Sequence, residues 1–412
     1  MQETPKHDAY AALRNPEYRF FLLGRVGMTL ALQIQAVSVG WQIYSLTHDP
    51  FSLGLIGLTE AIPALSISLF AGYVADTRSR KKIIFWCLSL LLLASSLLLA
   101  VSYDVGQMLT LMGTAPIYGL IFLTGVARGM IGPAIFALMP QIVSRDLYAN
   151  AVTWNSTSWQ ASSVLGPALG GLIYGFAGMH AAYASQVVLL AVAMFAFGLI
   201  SPKPIPTSDK RQDFWANLTE GIRFVFGNQV ILSAMSLDLF AVLFGGAVAL
   251  LPVFASDILK VGAQGLGLLR AAPAVGSVLM ALFIAHYPIK RNAGKIMLAC
   301  VAAFGLCMIG FALSDSFIIS LIMLALSGVV DSVSVIVRST LIQLNTPENM
   351  KGRVSAVNNM FIGSSNEIGE FESGTAARLL GVVPSVIFGG CVTLGVVSFT
   401  ALKADKLRKL DL

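Results

Sequence analysis

Long apolar runs separated by short polar breaks set the pattern of the chain. Val26–Thr47, Ile83–Val101, Leu239–Ser256, Ile296–Ser314 and Leu379–Leu402 contain no charged residue. The stretch Leu147–Pro202 is also uncharged and is interrupted at Gly178-Met179-His180, which divides it into two spans. Further runs near 51–75, 111–138, 264–285, 317–342 and 354–378 hold one to four charges each. A helix needs about 20 mostly apolar residues to cross the hydrocarbon core of a bilayer. These runs therefore predict twelve membrane-spanning helices. Continuous runs of this length are unlike the ten-residue alternations of a membrane β-barrel.

Composition agrees with that reading. Of 412 residues 56% are hydrophobic and 12% charged, with a mean hydropathy of +0.78, whereas a soluble domain carries about 25% charged residues. This excludes an ordinary water-soluble enzyme, a disordered scaffold and a nucleic-acid-binding protein. The net charge of +6 follows from topology. With the N-terminus in the cytoplasm, the inner segments collect Lys6, Arg14 and Arg19, then Arg78, Arg80, Lys81 and Lys82, and at the end Lys403, Lys406, Arg408 and Lys409. Only Lys260 and Arg378 fall near outer ends, so the positive-inside rule places both termini in the cytoplasm of a bacterial inner membrane. The start is polar and basic, unlike a cleavable signal peptide. Cys87, Cys300, Cys307 and Cys391 lie in apolar runs and read as small hydrophobes without disulfide or metal spacing. The longest inner loop opens with Pro202, Pro204 and Pro206 and continues as an amphipathic stretch through Phe214, Trp215, Leu218, Ile222 and Phe224. It predicts a cytoplasmic linker, 201–228, between two six-helix units, 1–200 and 229–412.

The two units are related in sequence. Thr124-Gly125-Val126-Ala127-Arg128 in the fourth span matches Ser327-Gly328-Val329-Val330-Asp331 in the tenth. The same offset, without a gap, puts Gly166 on Gly369 and Gly171 on Gly374. Leu53-Gly54-Leu55-Ile56 and Leu266-Gly267-Leu268-Leu269 open the second and eighth spans alike. A duplicated bundle with a site between its halves is the plan of alternating-access transporters.

The loop after the second span carries Gly72, Asp76, Arg80 and Lys81. Positive-inside anchoring explains the bases but not the glycine and aspartate at this spacing. The pattern resembles the G-x-x-x-D-x-x-x-R-[KR] signature of the major facilitator superfamily, and the resemblance implies a conformational latch at these four residues. Gly166, Pro167, Gly170 and Gly171 in the fifth span resemble the antiporter motif of the superfamily's exporters; dense helix packing would also account for them. The segment from Asp331 through Arg338 to the eleventh span closely resembles the secretion-effector branch of the superfamily.

Ten charged residues lie within spans. Arg128, in mid-membrane, needs a partner, because a lone arginine there costs at least about 2.5–3.5 kcal/mol. It is either a coupling residue, as the resemblance implies, or half of a structural ion pair. Glu367 and Glu370 share a helix face, with Glu372 pointing elsewhere, and Asp331, Ser334 and Arg338 form a stripe on the tenth span. Glu60, Asp238, Asp331 and Glu370, with Arg128, are candidates for proton coupling. Gln35, Ser38, Gln42, Arg128, Asp238, Asp331 and Ser334 are candidates for the substrate cavity, which the resemblance builds from the first, fourth, seventh and tenth spans. Arg25 reads as a side chain that snorkels to the inner surface; Arg270 is ambiguous.

No P-loop, metal cluster or nucleophile motif is present in the sequence, so no enzymatic activity, metal or cofactor is expected. The expectation is an all-α, twelve-helix secondary transporter, a monomer in the bilayer, that exports a siderophore-like or drug-like organic molecule in exchange for protons. An importer of a small nutrient on the same fold is the alternative, and a non-transporting receptor or assembly factor a third.

Overall fold

The computed structural model describes residues 8, 10–204, 214–287, 292–347, 350–404 and 408. Those residues are helical apart from short connections, and three of the helices begin at side-chain caps, Asn15, Asp49 and Asn228. Asn15 accepts from the amides of Glu17 and Tyr18 at 2.9 and 3.4 Å, with Pro16 opening α1 (Pro16–Thr47). Asp49 accepts from Phe51 at 3.0 Å, with Pro50 opening α2 (Pro50–Thr77). An acceptor side chain at the cap satisfies amides that the helix leaves free, and proline costs nothing at the first position.

α3 (Arg80–Ser102) and α4 (Ala115–Ile142) follow. The next helix runs without a loop through Tyr148–Gly198, but Gly178 stands at φ +83° and turns the chain, giving α5 (148–177) and α6 (179–198). Only glycine takes that backbone conformation cheaply. A linker helix, Phe214–Gly227, precedes the second half. There α7 (Gln229–Gly245) is capped by Asn228, and α8 (Gly262–His286), α9 (Ala293–Ala312), α10 (Phe317–Asn345), α11 (Lys351–Leu380) and α12 (Val382–Lys403) complete the chain.

Ten helices among the described residues are long and apolar enough to cross a membrane. Division at Gly178 and the polar helix α11 reconcile that number with twelve crossings. α11 spans 30 residues, but Asn366, Glu367, Glu370 and Glu372 lower its hydropathy. The seventh span departs from its sequence expectation. The uncharged run Leu239–Ser256 is not one helix: α7 stops at Gly245, the chain is extended at Gly246, and a short helical segment resumes to Ile258 through a wide π turn.

Packing repeats in the two halves. α1 lies against α6 where Gly24 and Gly27 face Phe197 and the carbonyl of Leu189. Gly125 of α4 rests on the Glu60 carbonyl of α2, and its counterpart Gly328 of α10 rests on the Pro273 carbonyl of α8. In lipid, where apolar surface gains nothing by meeting other apolar surface, such close backbone approach supplies the packing. The linker helix lies along the start of α11, where Arg353 meets Glu220 at 2.5 Å and its backbone covers Gly221.

Candidate functional site

Each half contributes one cavity. The first, of about 270 Å³, is lined by α1, α2, α4 and α5, including Arg25, Gln33, Gln35, Glu60, Arg128 and Trp159. The second, of about 260 Å³, is lined by residues of the second half, among them Phe304, Met308, Asp331, Asn366 and Glu370.

A charge cluster joins them. Arg128 donates to Glu60 and lies 3.9 Å from Glu367 of α11. Glu370, one turn further along α11, is within electrostatic reach of Arg128 and of Arg270 on α8, and its side chain lies against Gly57 of α2. Two guanidiniums and three carboxylates, contributed by both halves, thus occupy the interface. Only a glycine at 57 leaves room for Glu370 there. Glu372 makes no ion pair among the described residues and stands apart from the cluster.

The second ion pair lies inside one half. Arg338 of α10 binds Asp238 of α7, their side chains 4% and 10% exposed. Asp238 and Ser334 therefore do not line the main cavity as expected; they border a void of about 10 Å³. Ser38 and Gln42 are likewise corrected. Ser38 is fully buried and donates to the Ile34 carbonyl, and Gln42 accepts from Tyr183 of α6 inside the first bundle. Both sit on the face of α1 turned toward its own bundle. Gln35 does reach the cavity, donating to Thr124 at 3.1 Å, and Asp331 lines the second one. The cavity draws on α2, α5, α8, α9 and α11 as well as the four helices expected. Arg25, read as snorkelling, instead faces the first cavity.

Arg80 and Lys81 close helix ends in the first bundle. Arg80 donates to the Ala137 carbonyl at 2.9 Å, and Lys81 to the carbonyls of Gly198, at 2.8 Å, and of Ile200. Cations at helix C-termini meet the negative end of the helix dipole. Gly72 and Asp76 belong to α2, but their side chains lie outside the described ones.

The helix-5 motif faces two ways. Gly166 and Gly170 admit α1, where Gln33 and Ile34 press in, while Gly171 meets Gly267 of α8 in the other half. Around the same end of the molecule, away from the termini, Tyr44 donates to Asp257 and Arg378 lies 3.7 Å from Asp49 while covering the Phe51 ring. This end is sealed. Toward the end bearing the termini, α5 is exposed along Val152 and Trp159. Sequence reasoning passed over Asp257 and read Arg25 as snorkelling; the alternation of a charge with apolar neighbours does not reveal which way a buried helix is turned.

Comparison with known proteins places this architecture. A profile of the family described as transmembrane secretion effector matches residues 7–412. The enterobactin exporter EntS of Salmonella typhi is 27% identical over 344 residues, covering 83% of this chain and 81% of that protein. Among solved structures, the POT family transporter PepTSo superposes with a TM-score of 0.74 at 13% identity, covering 96% of this chain and 99% of that one. A bacterial homologue of the iron transporter ferroportin, in an inward-facing state, does so with a TM-score of 0.68 at 18% identity, covering 97% and 99%. At these identities the two structures speak for the fold alone.

Proposed function

The chain belongs to the transmembrane secretion effector family of the major facilitator superfamily and is a membrane transporter, and we propose that it exports an organic small molecule in exchange for protons. The cargo is siderophore-like or drug-like, the membrane is the bacterial cytoplasmic one, and the working unit is a monomer with both termini inside. In that orientation the sealed end faces outward and the cavity opens to the cytoplasm, as a state ready to load cargo requires.

The observation that carries the proton coupling is the cluster at the interface. With all five side chains ionised, Glu60, Glu367 and Glu370 outnumber Arg128 and Arg270 by one negative charge. In a low-dielectric interface a surplus charge is costly, and a carboxylate relieves it by taking a proton. The cluster is held by both halves, so rocking them apart changes which carboxylate each guanidinium can reach. The proton is bound in one state and released in the other, and that difference is what a proton gradient can act on. The Asp238–Arg338 pair is balanced and sealed within one half, which suits a structural role better than a coupling one.

The enterobactin exporter relatives favour export and an organic cargo. The test uses proteoliposomes loaded with a pH-sensitive dye and, one at a time, with compounds from a panel of siderophore-like and drug-like molecules. Outward movement of a transported compound is expected to acidify the lumen, and an uncoupler to abolish the pH change. Compound movement with no proton movement would remove proton exchange from the account. Accumulation by intact cells that an uncoupler abolishes would instead establish import.

A further inference from the structure

Arg25 is the cationic side chain that the charge cluster leaves over. It projects from α1 into the first cavity, and its Nε is buried with no hydrogen-bond partner. It forms no ion pair with an acidic side chain among the described residues; Glu60, which shares the cavity, is engaged by Arg128. The Thr29 hydroxyl beside it donates to the Arg25 carbonyl at 2.9 Å and so does not serve the guanidinium. Arg128, in the same cavity, has two carboxylates. A guanidinium drawn into a membrane protein without a counter-ion is unfavourable, and such residues are retained where something else supplies the charge.

The rest of the space is of a different kind. Trp159, 48% exposed, forms part of the wall of the first cavity, and the facing cavity offers Val242, Phe304, Met308 and Leu324. We propose that Arg25 is a cargo-binding residue and that the cargo is an amphipathic organic anion: its acidic group supplies the missing counter-ion to the Arg25 guanidinium, and its aromatic or aliphatic body fills the apolar wall opposite. This rests on the transport reading and narrows it. A guanidinium presents several donors in one plane and suits a carboxylate, a catecholate, a sulfonate or a phosphate. A cationic drug would be repelled from the same place. The arrangement also ties loading to charge. The arriving anion neutralises Arg25 and leaves the proton-binding cluster to its own balance, so cargo and proton occupy separate sites in one cavity.

Three matched probes test this with the whole transporter in nanodiscs: 2-naphthoate, the uncharged 2-naphthamide and the cationic 2-naphthylmethylamine, with affinities measured by calorimetry. Naphthoate is expected to bind at least about tenfold more tightly than naphthamide, as a charge-assisted contact should give, and the amine more weakly than either. Arg25→Gln is expected to bring naphthoate down to the level of the amide, and Arg25→Lys to restore most of the preference. Arg25→Gln should also melt no lower than the wild type, since it removes an uncompensated charge; that result separates cargo binding from a structural role. Naphthoate that fails to bind, an amide that binds as tightly, a preference that survives Arg25→Gln or a clear fall in its melting temperature would each overturn the inference. None of these touches the transport reading, which stands or falls on compound-driven proton movement in proteoliposomes.

Discussion

Gly171 and Gly267 meet backbone to backbone across the two halves: a Cβ placed on Gly171 would lie 2.5 Å from the Gly267 Cα. The repeat relates Gly171 to Gly374 and Gly267 to Gly54, and those two residues make the same contact on the other side, a Cβ on Gly374 falling 2.7 Å from the Gly54 Cα. The sealed end of the transporter is thus built twice, once from α5 on α8 and once from α11 on α2. Neither contact tolerates a side chain without the helices separating.

A valine at Gly171 or Gly267 is therefore expected to disfavour the sealed state and to cut transport by about tenfold or more, given that backbone atoms cannot yield. Gly54→Val and Gly374→Val should behave alike. Gly119→Val is the control, because nothing lies within 4 Å of its Cβ position. Initial rates in proteoliposomes at equal protein content measure the effect. Wild-type rates for the four interface variants would show that this end need not close tightly.

The Asp238–Arg338 pair yields a stability prediction. Asp238→Asn strands a buried guanidinium and is expected to cost about 3–5 kcal/mol, the usual penalty for breaking a buried pair. Arg338→Met should cost less, because the remaining carboxylate can take up a proton. Replacing both, as Asp238→Leu with Arg338→Met, should recover most of the loss. Thermal melts in detergent report the order, and a double variant no more stable than Asp238→Asn would contradict it.

Two contacts bridge the halves at the sealed end with unequal weight. Tyr44 donates to a carboxylate, Asp257, in a part-buried setting, whereas the Arg378 and Asp49 side chains are 59% and 34% exposed and such pairs contribute about 0–1 kcal/mol. Tyr44→Phe should speed maleimide labelling of a cysteine placed at Thr47 several-fold, in a background with the exposed Cys391 replaced by serine. Arg378→Gln should change the rate little. The reverse order would assign the seal to the surface pair.

Much of this was legible in the chain. Span positions follow from the uncharged runs, whereas the caps at Asn15 and Asp49, which set where α1 and α2 begin, emerge only in the structure. The repeat already picked out the four glycines that meet, although not that they meet one another. Helix rotation was not legible. α1 is apolar nearly all round, so its pattern does not say which face turns to the cavity; Ser38 and Gln42 proved to face the bundle, and Arg25 the cavity. The break at Gly245-Gly246 was hidden because an uncharged run reads the same whether or not one helix crosses it. Asp238 was chosen as an intramembrane acid, and only its place beside Arg338 separates it from Glu60, Glu367 and Glu370.

The central claim is that the surplus carboxylate of the interface cluster binds the transported proton. Its most direct test is lumenal pH in proteoliposomes during outward movement of a transported compound, for the wild type and for Glu60→Gln, Glu367→Gln and Glu370→Gln. The account predicts acidification by the wild type. It also predicts that at least one of the three variants, Glu370→Gln first among them, loses acidification while still exchanging labelled for unlabelled compound. Wild-type acidification by all three variants would contradict it.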